Sequence, residues 1–235
     1  MTFRSFLELF SIDFDQLAMG QDGGSFVLTE MEIAPLDFLM QAESDLSTGG
    51  ASALLNSVTN AKRAITCQAD QLLLSFGYPA YSWNIPRKLE KLQELGLLTP
   101  AILRKVSKVR NLLEHEYIKP TQCEVKESLD IATLFVMANV ALFHPFGDGL
   151  EGGVSESWNE KSKTYAKRVC FGLNTDRGEV AYRAVAREDD CHLGSYLIRN
   201  KDPMFAALVR LAVSFELRYK TDEAFQHINN VYKSS

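Results

Sequence analysis

Between residues 35 and 143 apolar side chains return every three or four positions, the period of helices that bury one face. The first such run starts at Pro35 and carries Leu36, Phe38, Leu39 and Ala42 to about Leu46, where Ser47, Thr48, Gly49 and Gly50 stop it. The longest follows at once. Leu54, Leu55, Val58, Ala61, Ile65, Ala69, Leu72, Leu73 and Phe76 keep the spacing from Ala51 onward until Gly77 and Pro79 close the run. Its opposite stripe, Asn56, Asn60, Arg63, Gln68 and Gln71, is polar but lightly charged, which suits a helix side that meets a ligand or a partner. Pro86 to Gly96 predicts a short helix, and Thr99 with Pro100 predicts the cap and first turn of the next. That helix sets Ile102, Leu103, Val106, Val109 and Leu113 on one side and ends near Tyr117, before Pro120. From Gln122 to Phe143 a further run is apolar nearly all round in its second half, which places it at the centre of a bundle or in an oligomer contact.

The ends of the chain read differently. An apolar opening (Phe3, Phe6, Leu7, Phe10) is followed by turn residues at Gly20 to Gly24, and the β-branched and aromatic run after them predicts a strand at about Ser25 to Ile33. Glycines cluster again from Phe146 to Gly153 and mark a domain boundary; no Lys-Ser or Lys-Thr follows them, so a phosphate-cradling loop is not supported. Lys163 to Leu173 and Glu179 to Ala186 flank the turn Asn174 to Gly178 as a β-hairpin. Asp202 and Pro203 then cap a long helix, with a short one after it around Phe225 to Val231. The expected fold class is mainly α: a four- to five-helix bundle with small β elements at the N-terminal and C-terminal ends. Its expected parts are an acidic segment over 1–34, a helical bundle over 35–146, and a hairpin with helices over 154–235, packed on the bundle.

Composition adds class but little chemistry. Hydrophobic residues at 46% and charged residues at 23% exclude wholesale disorder. There is no basic leader running into an apolar stretch and no run of about 18 apolar residues, so a cytoplasmic protein away from membranes is expected. Cys67, Cys123, Cys170 and Cys191 are far apart in sequence, which predicts buried thiols and neither a zinc site nor a disulfide framework. Charge is unevenly spread. Residues 1–50 carry nine acidic groups against Arg4 alone, whereas residues 87–119 carry eight basic groups against four acidic ones. A polyanion would be drawn to the second segment and repelled by the first.

The chemistry that stands out lies in that basic segment, in KVRNLLEHEYIKP from Lys108 to Pro120. On a helical wheel Arg104, Lys108, Asn111 and His115 form one polar, largely basic stripe opposite the apolar one. A histidine near a helix C-terminus is poised to act as acid or base near neutral pH. Arg110 stands roughly 140° from His115 on an ideal helix. It reaches the same phosphate only if its side chain bends around the helix or a second copy supplies it; its other use is a salt bridge with Glu114.

RNLLEHEY, with Arg110 and Asn111, then His115 and Tyr117, resembles the R-x4-H signature of the HEPN family (higher eukaryotes and prokaryotes nucleotide-binding), and the tyrosine resembles its HepT-like toxin branch. The resemblance covers the helices from about Leu36 to Phe143. It implies a metal-independent endoribonuclease with no cofactor, acting as a homodimer through the bundle. Arg110, Asn111 and His115 would be catalytic, Arg104 and Lys108 would bind RNA, and Tyr117 would be a regulatory residue open to modification by a nucleotidyltransferase-type antitoxin. The chain is much longer than the small toxins of that branch, which points to a defence or stress setting. The alternatives are a non-catalytic HEPN-like module that binds RNA or a nucleotide, and a helical adaptor assembling through residues 131–143.

Overall fold

The structure is a computed structural model that describes residues 1–97, 103, 106, 108, 109, 118–144, 146–174, 179–189 and 191–234. The chain forms two compact units. One comprises residues 28–93 and 97–144 and is helical; the other joins residues 1–27, 94–96 and 145–235 around a β-sheet.

The helical unit follows the apolar periodicity. Its elements are α2 (Pro35–Thr48), α3 (Ala51–Ser75), α4 (Ile85–Glu94, its last residue counted with the other unit) and α5 (Gln122–Leu142). Leu103, Val106, Lys108 and Val109 are also helical. Gly49 and Gly50 turn the chain between α2 and α3 at φ 73° and 86° with ψ 175° and 168°, a region open essentially to glycine alone. The two helices are then tied side by side, with Ser57 donating to the Ala42 carbonyl at 2.8 Å and Asn60 donating to Asp45 at 2.9 Å. α5 begins on a reciprocal cap. The Thr121 hydroxyl accepts from the Glu124 N–H and the Glu124 carboxylate accepts from the Thr121 N–H, an arrangement worth about 1 kcal/mol. Val58, Val109 and Val125 meet in one buried cluster edged by Leu46 and Leu54, which joins α2, α3, the helical residues around Val109, and α5.

The sheet unit departs from expectation. Its elements are α1 (Phe3–Leu9), β1 (Leu17–Gln21), β2 (Leu150–Val154), the short pair β3 (Trp158–Asn159) and β4 (Thr164–Tyr165), β5 (Lys167–Asn174), β6 (Ala181–Glu188), β7 (Cys191–Arg199), α6 (Pro203–Leu217) and α7 (Thr221–Ser234). Five strands form one antiparallel sheet in the order β1-β2-β5-β6-β7. The mainly α fold class is therefore wrong: the β elements of the two ends are strands of one sheet, and the architecture is mixed α and β. The physical reason lies in β2. Leu17 pairs with Val154 and Gln21 with Leu150, so β1 finds its partner across most of the chain, where no local pattern announces it.

Glycines in β2 mark close packing. A Cβ on Gly152 would meet the Met19 sulfur, and one on Gly153 would overlap the Tyr165 ring. The strand expected at Ser25 to Ile33 is absent apart from a single bridge at Phe26, because Thr29 bonds to side chains of α3 instead. One sheet face is filled by rings. Phe3 lies 6.0 Å from Phe171 and from Tyr196, Phe14 stacks on Tyr232 at 4.2 Å, and Phe205 of α6 lies 5.6 Å from Tyr182. The acidic first segment is thus built into this unit through Phe3, Phe6, Leu7 and β1.

Candidate functional site

The described helical residues next to the sequence motif behave as the wheel requires. Leu103, Val106 and Val109 are buried, and Lys108 is exposed on the opposite side. Packing of Val109 against Val58 and Val125 orients that helix, so the side facing away from the cluster carries the lysine. Arg104, Arg110, Asn111, His115 and Tyr117 lie outside the described residues. Of the expected site, the structure therefore places Lys108 alone.

A second constellation sits on the polar side of α3. The segment before α2 crosses this helix and is held by three side chains: Ser75 accepts from the Thr29 N–H at 2.8 Å, Gln71 donates to the Thr29 carbonyl at 3.0 Å, and Cys67 donates to the Ile33 carbonyl at 3.4 Å. The result is a cavity of about 610 Å³, with Ile33, Phe38 and Tyr81 among its apolar walls and Thr59, Lys62, Arg63, Thr66, Cys67 and Asp70 along α3. Spacings of three, one, three, one and three put those α3 residues on one helical face.

Electrostatics inside the cavity are ordered by pairing. Asp70 and Lys88, almost fully buried, form an ion pair at 2.5 Å. Burial, with the carboxylates of Asp70 and Asp37 adding to it, pushes the Cys67 thiol above its ordinary range, so it stays protonated at neutral pH and is a poor nucleophile. Arg63 donates to Asn60 at 3.3 Å, and Asn60 in turn donates to Asp45, a chain that orients the guanidinium. The polar stripe expected on this helix is thereby divided in use. Asn60 and Gln71 serve structure, Gln68 is buried, and Arg63 faces the cavity. Thr59, Lys62, Thr66 and Asp70 were not singled out from the sequence, and Cys67 only as a buried thiol, although their three-and-four spacing is present in it.

In the sheet unit Asp22, Glu151 and Cys170 bring three potential metal-ligand atoms within 4.8 Å of one another. Glu151 also lies 3.6 Å from Arg168 and accepts from the Cys170 thiol at 3.9 Å. Burial, ahead of the Asp22 charge, raises the Glu151 carboxyl, and burial ahead of Glu151 raises the Cys170 thiol, so a cation would have to displace the Cys170 proton to bind. The cysteines themselves differ from expectation. Cys123 and Cys191 are exposed and Cys67 and Cys170 half-buried, because the first two sit in the outer first turn of α5 and at the start of an edge strand. Among the described residues, no helix is long and apolar enough to cross a membrane. Comparison of the chain with protein-family models, with curated proteins and with solved structures found no match.

Proposed function

We propose that the helical unit is a metal-independent endoribonuclease of HEPN type. The observation that carries the reading is the set of helical residues between α4 and α5: Leu103, Val106 and Val109 are buried, Lys108 is exposed, and Val109 packs between Val58 of α3 and Val125 of α5. Lys108, turned outward by that buried side, supplies a cation that helps hold a phosphodiester backbone against one histidine. His115 takes the proton of a ribose 2′-OH as it attacks the adjacent phosphorus, or returns a proton to the departing 5′-oxygen. Arg110 stabilises the charge gathering on the phosphorane oxygens, and Asn111 orients phosphate or imidazole. Arg104 and Lys108 contact the RNA backbone, and Tyr117 is the regulatory position. The products are a 2′,3′-cyclic phosphate and a free 5′-hydroxyl.

On an ideal helix Arg110 would stand roughly 140° from His115, so the proposal has two chains complete a site and includes a homodimer. Leu134 and Met137, exposed by 72% and 48% on α5 of the same unit, support that assembly. A cytoplasmic defence or toxin setting, with a nucleotidyltransferase-type antitoxin as partner, belongs to the same proposal.

The test is incubation of the purified protein with single-stranded RNA in EDTA, alongside His115→Ala and Arg110→Ala. Cleavage that falls about 10²–10⁴-fold in each variant is expected, the size of a lost general acid–base or oxyanion contact. RNA binding without cleavage by the wild-type protein would reduce the unit to a binding module, and cleavage untouched by both substitutions would remove the motif from the chemistry.

A further inference from the structure

We propose that the cavity beside α3 is a binding site for a flat, fused heteroaromatic ring whose edge carries both N–H donors and acceptors, of the purine or isoalloxazine type. This proposal is independent of the ribonuclease reading, since neither the motif residues nor any cleavage enters it. At about 610 Å³ the cavity falls within the ~300–1,000 Å³ range of small-molecule sites. All of its lining residues belong to the helical unit.

The hydrogen-bonding groups of the lining decide the ligand class. Thr59 donates to the Leu55 carbonyl at 2.8 Å and Thr66 to the Lys62 carbonyl at 3.0 Å. Both hydroxyl protons are thus committed to the helix, and both oxygens remain as acceptors. The two threonines stand on one face of α3 and are half-buried, so a ring seated over them takes their oxygens out of water and must bring N–H donors of its own. Arg63 makes the opposite demand, because a guanidinium donates and never accepts. It is set before any ligand arrives: it donates to Asn60, which in turn donates to Asp45. Asp70 and Cys67 are already engaged, the first with Lys88 and the second with the Ile33 carbonyl. A hydrocarbon meets neither demand and a plain oxyanion only that of Arg63. A heterocycle with N–H groups beside ring nitrogens or carbonyls meets both.

Flatness follows from the walls. Phe38 and Tyr81 are aromatic, and Ile33 lies beside Cys67, one turn along α3 from Arg63. Ile33 and Tyr81 are exposed by 55% and 71%, and a planar body covering them would remove that surface from water, which is the main source of affinity here. Stacking of a heterocycle on such a ring is favourable whatever its substituents, so selection falls to the threonines and Arg63. The wall is held beforehand by the Thr29 and Ile33 backbone bonds to α3, which leaves little ordering cost at binding.

The test uses the full chain and calorimetric titration with adenosine, inosine and riboflavin, whose rings carry N–H donors, and with nebularine, the purine riboside whose ring carries none. All four are uncharged, so the charge of the surface does not enter. At least one of the three donor-bearing ligands is expected to bind at least tenfold more tightly than nebularine, and the tightest identifies the ring system. Thr66→Val keeps the shape and removes the oxygen; it is expected to weaken that ligand at least fivefold with the melting temperature unchanged. Tyr81→Ala, on an exposed ring, is expected to weaken it similarly. Nebularine binding as tightly as the best of the three, affinity indifferent to either substitution, or no binding of any of the three up to millimolar concentration or their solubility would each overturn the proposal.

Discussion

Removing one partner of the buried Asp70–Lys88 pair leaves an uncompensated charge in a dry setting. Asp70→Ala and Lys88→Ala are each expected to cost about 3–5 kcal/mol in urea titrations, and replacing both residues with apolar ones of similar volume to recover most of that loss. Glu151 supplies a pH signature. Burial raises its carboxyl above its ordinary value of 4.5, so the folded state holds that proton more tightly than the unfolded one. Its contribution to stability is therefore greatest below the ordinary carboxylate range and is lost as pH rises through the raised value. Melting curves should show Glu151→Gln gaining on the wild type as pH rises above about 4.5, and a constant difference would contradict the burial argument. Single residues were legible in sequence where their effect is local. The Asp202 cap, whose carboxylate accepts from the Met204 N–H, was foreseen from Asp-Pro alone. The partners of Asp70 and Glu151 were not, because Lys88 and Arg168 arrive from 18 and 17 positions away through packing.

Helices were read well and strands poorly, and the difference is one of range. The boundaries of α2, α3, α4 and α5 follow from periodicity, prolines and glycines inside each element. Gly49 carries the α2–α3 turn in a glycine-only conformation, so Gly49→Ala is expected to destabilise by about 1–3 kcal/mol, read as a lowered melting temperature. The pairing of β5 with β6 was legible because the two runs are neighbours in sequence on either side of a turn-forming pattern, and the strands pair from Lys167 opposite Glu188 to Asn174 opposite Ala181. β2 was not, since its paired glycines carry the same local signal as a linker. Gly153→Ala tests the packing role: the added methyl meets the Tyr165 ring, and a cost of roughly 1–3 kcal/mol is expected, whereas a silent substitution would return the glycines to a linker role.

For the molecule as a whole, the chain departs from the sheet unit after Val27, builds the helical unit, and returns to complete the sheet. A sheet closed across such a separation has high contact order and is expected to form late in folding. Removing residues 1–27 would strip β1 from the edge of β2 and Phe3 and Phe6 from the core, so an effect of that truncation on RNA binding reports unfolding rather than the loss of acidic charge. In light scattering the ribonuclease reading predicts a mass twice the 26.4 kDa chain, shifting toward one chain when Leu134 is changed to Glu. The candidate site was legible only as far as a helical wheel reaches, which is to Lys108 and the buried face opposite it. The most direct test of the central claim is the end chemistry of RNA cut in EDTA, with a DNA strand of the same sequence beside it. The account predicts RNA fragments ending in a 2′,3′-cyclic phosphate and intact DNA; fragments with a 3′-hydroxyl and a 5′-phosphate, or no cutting without metal, would contradict it.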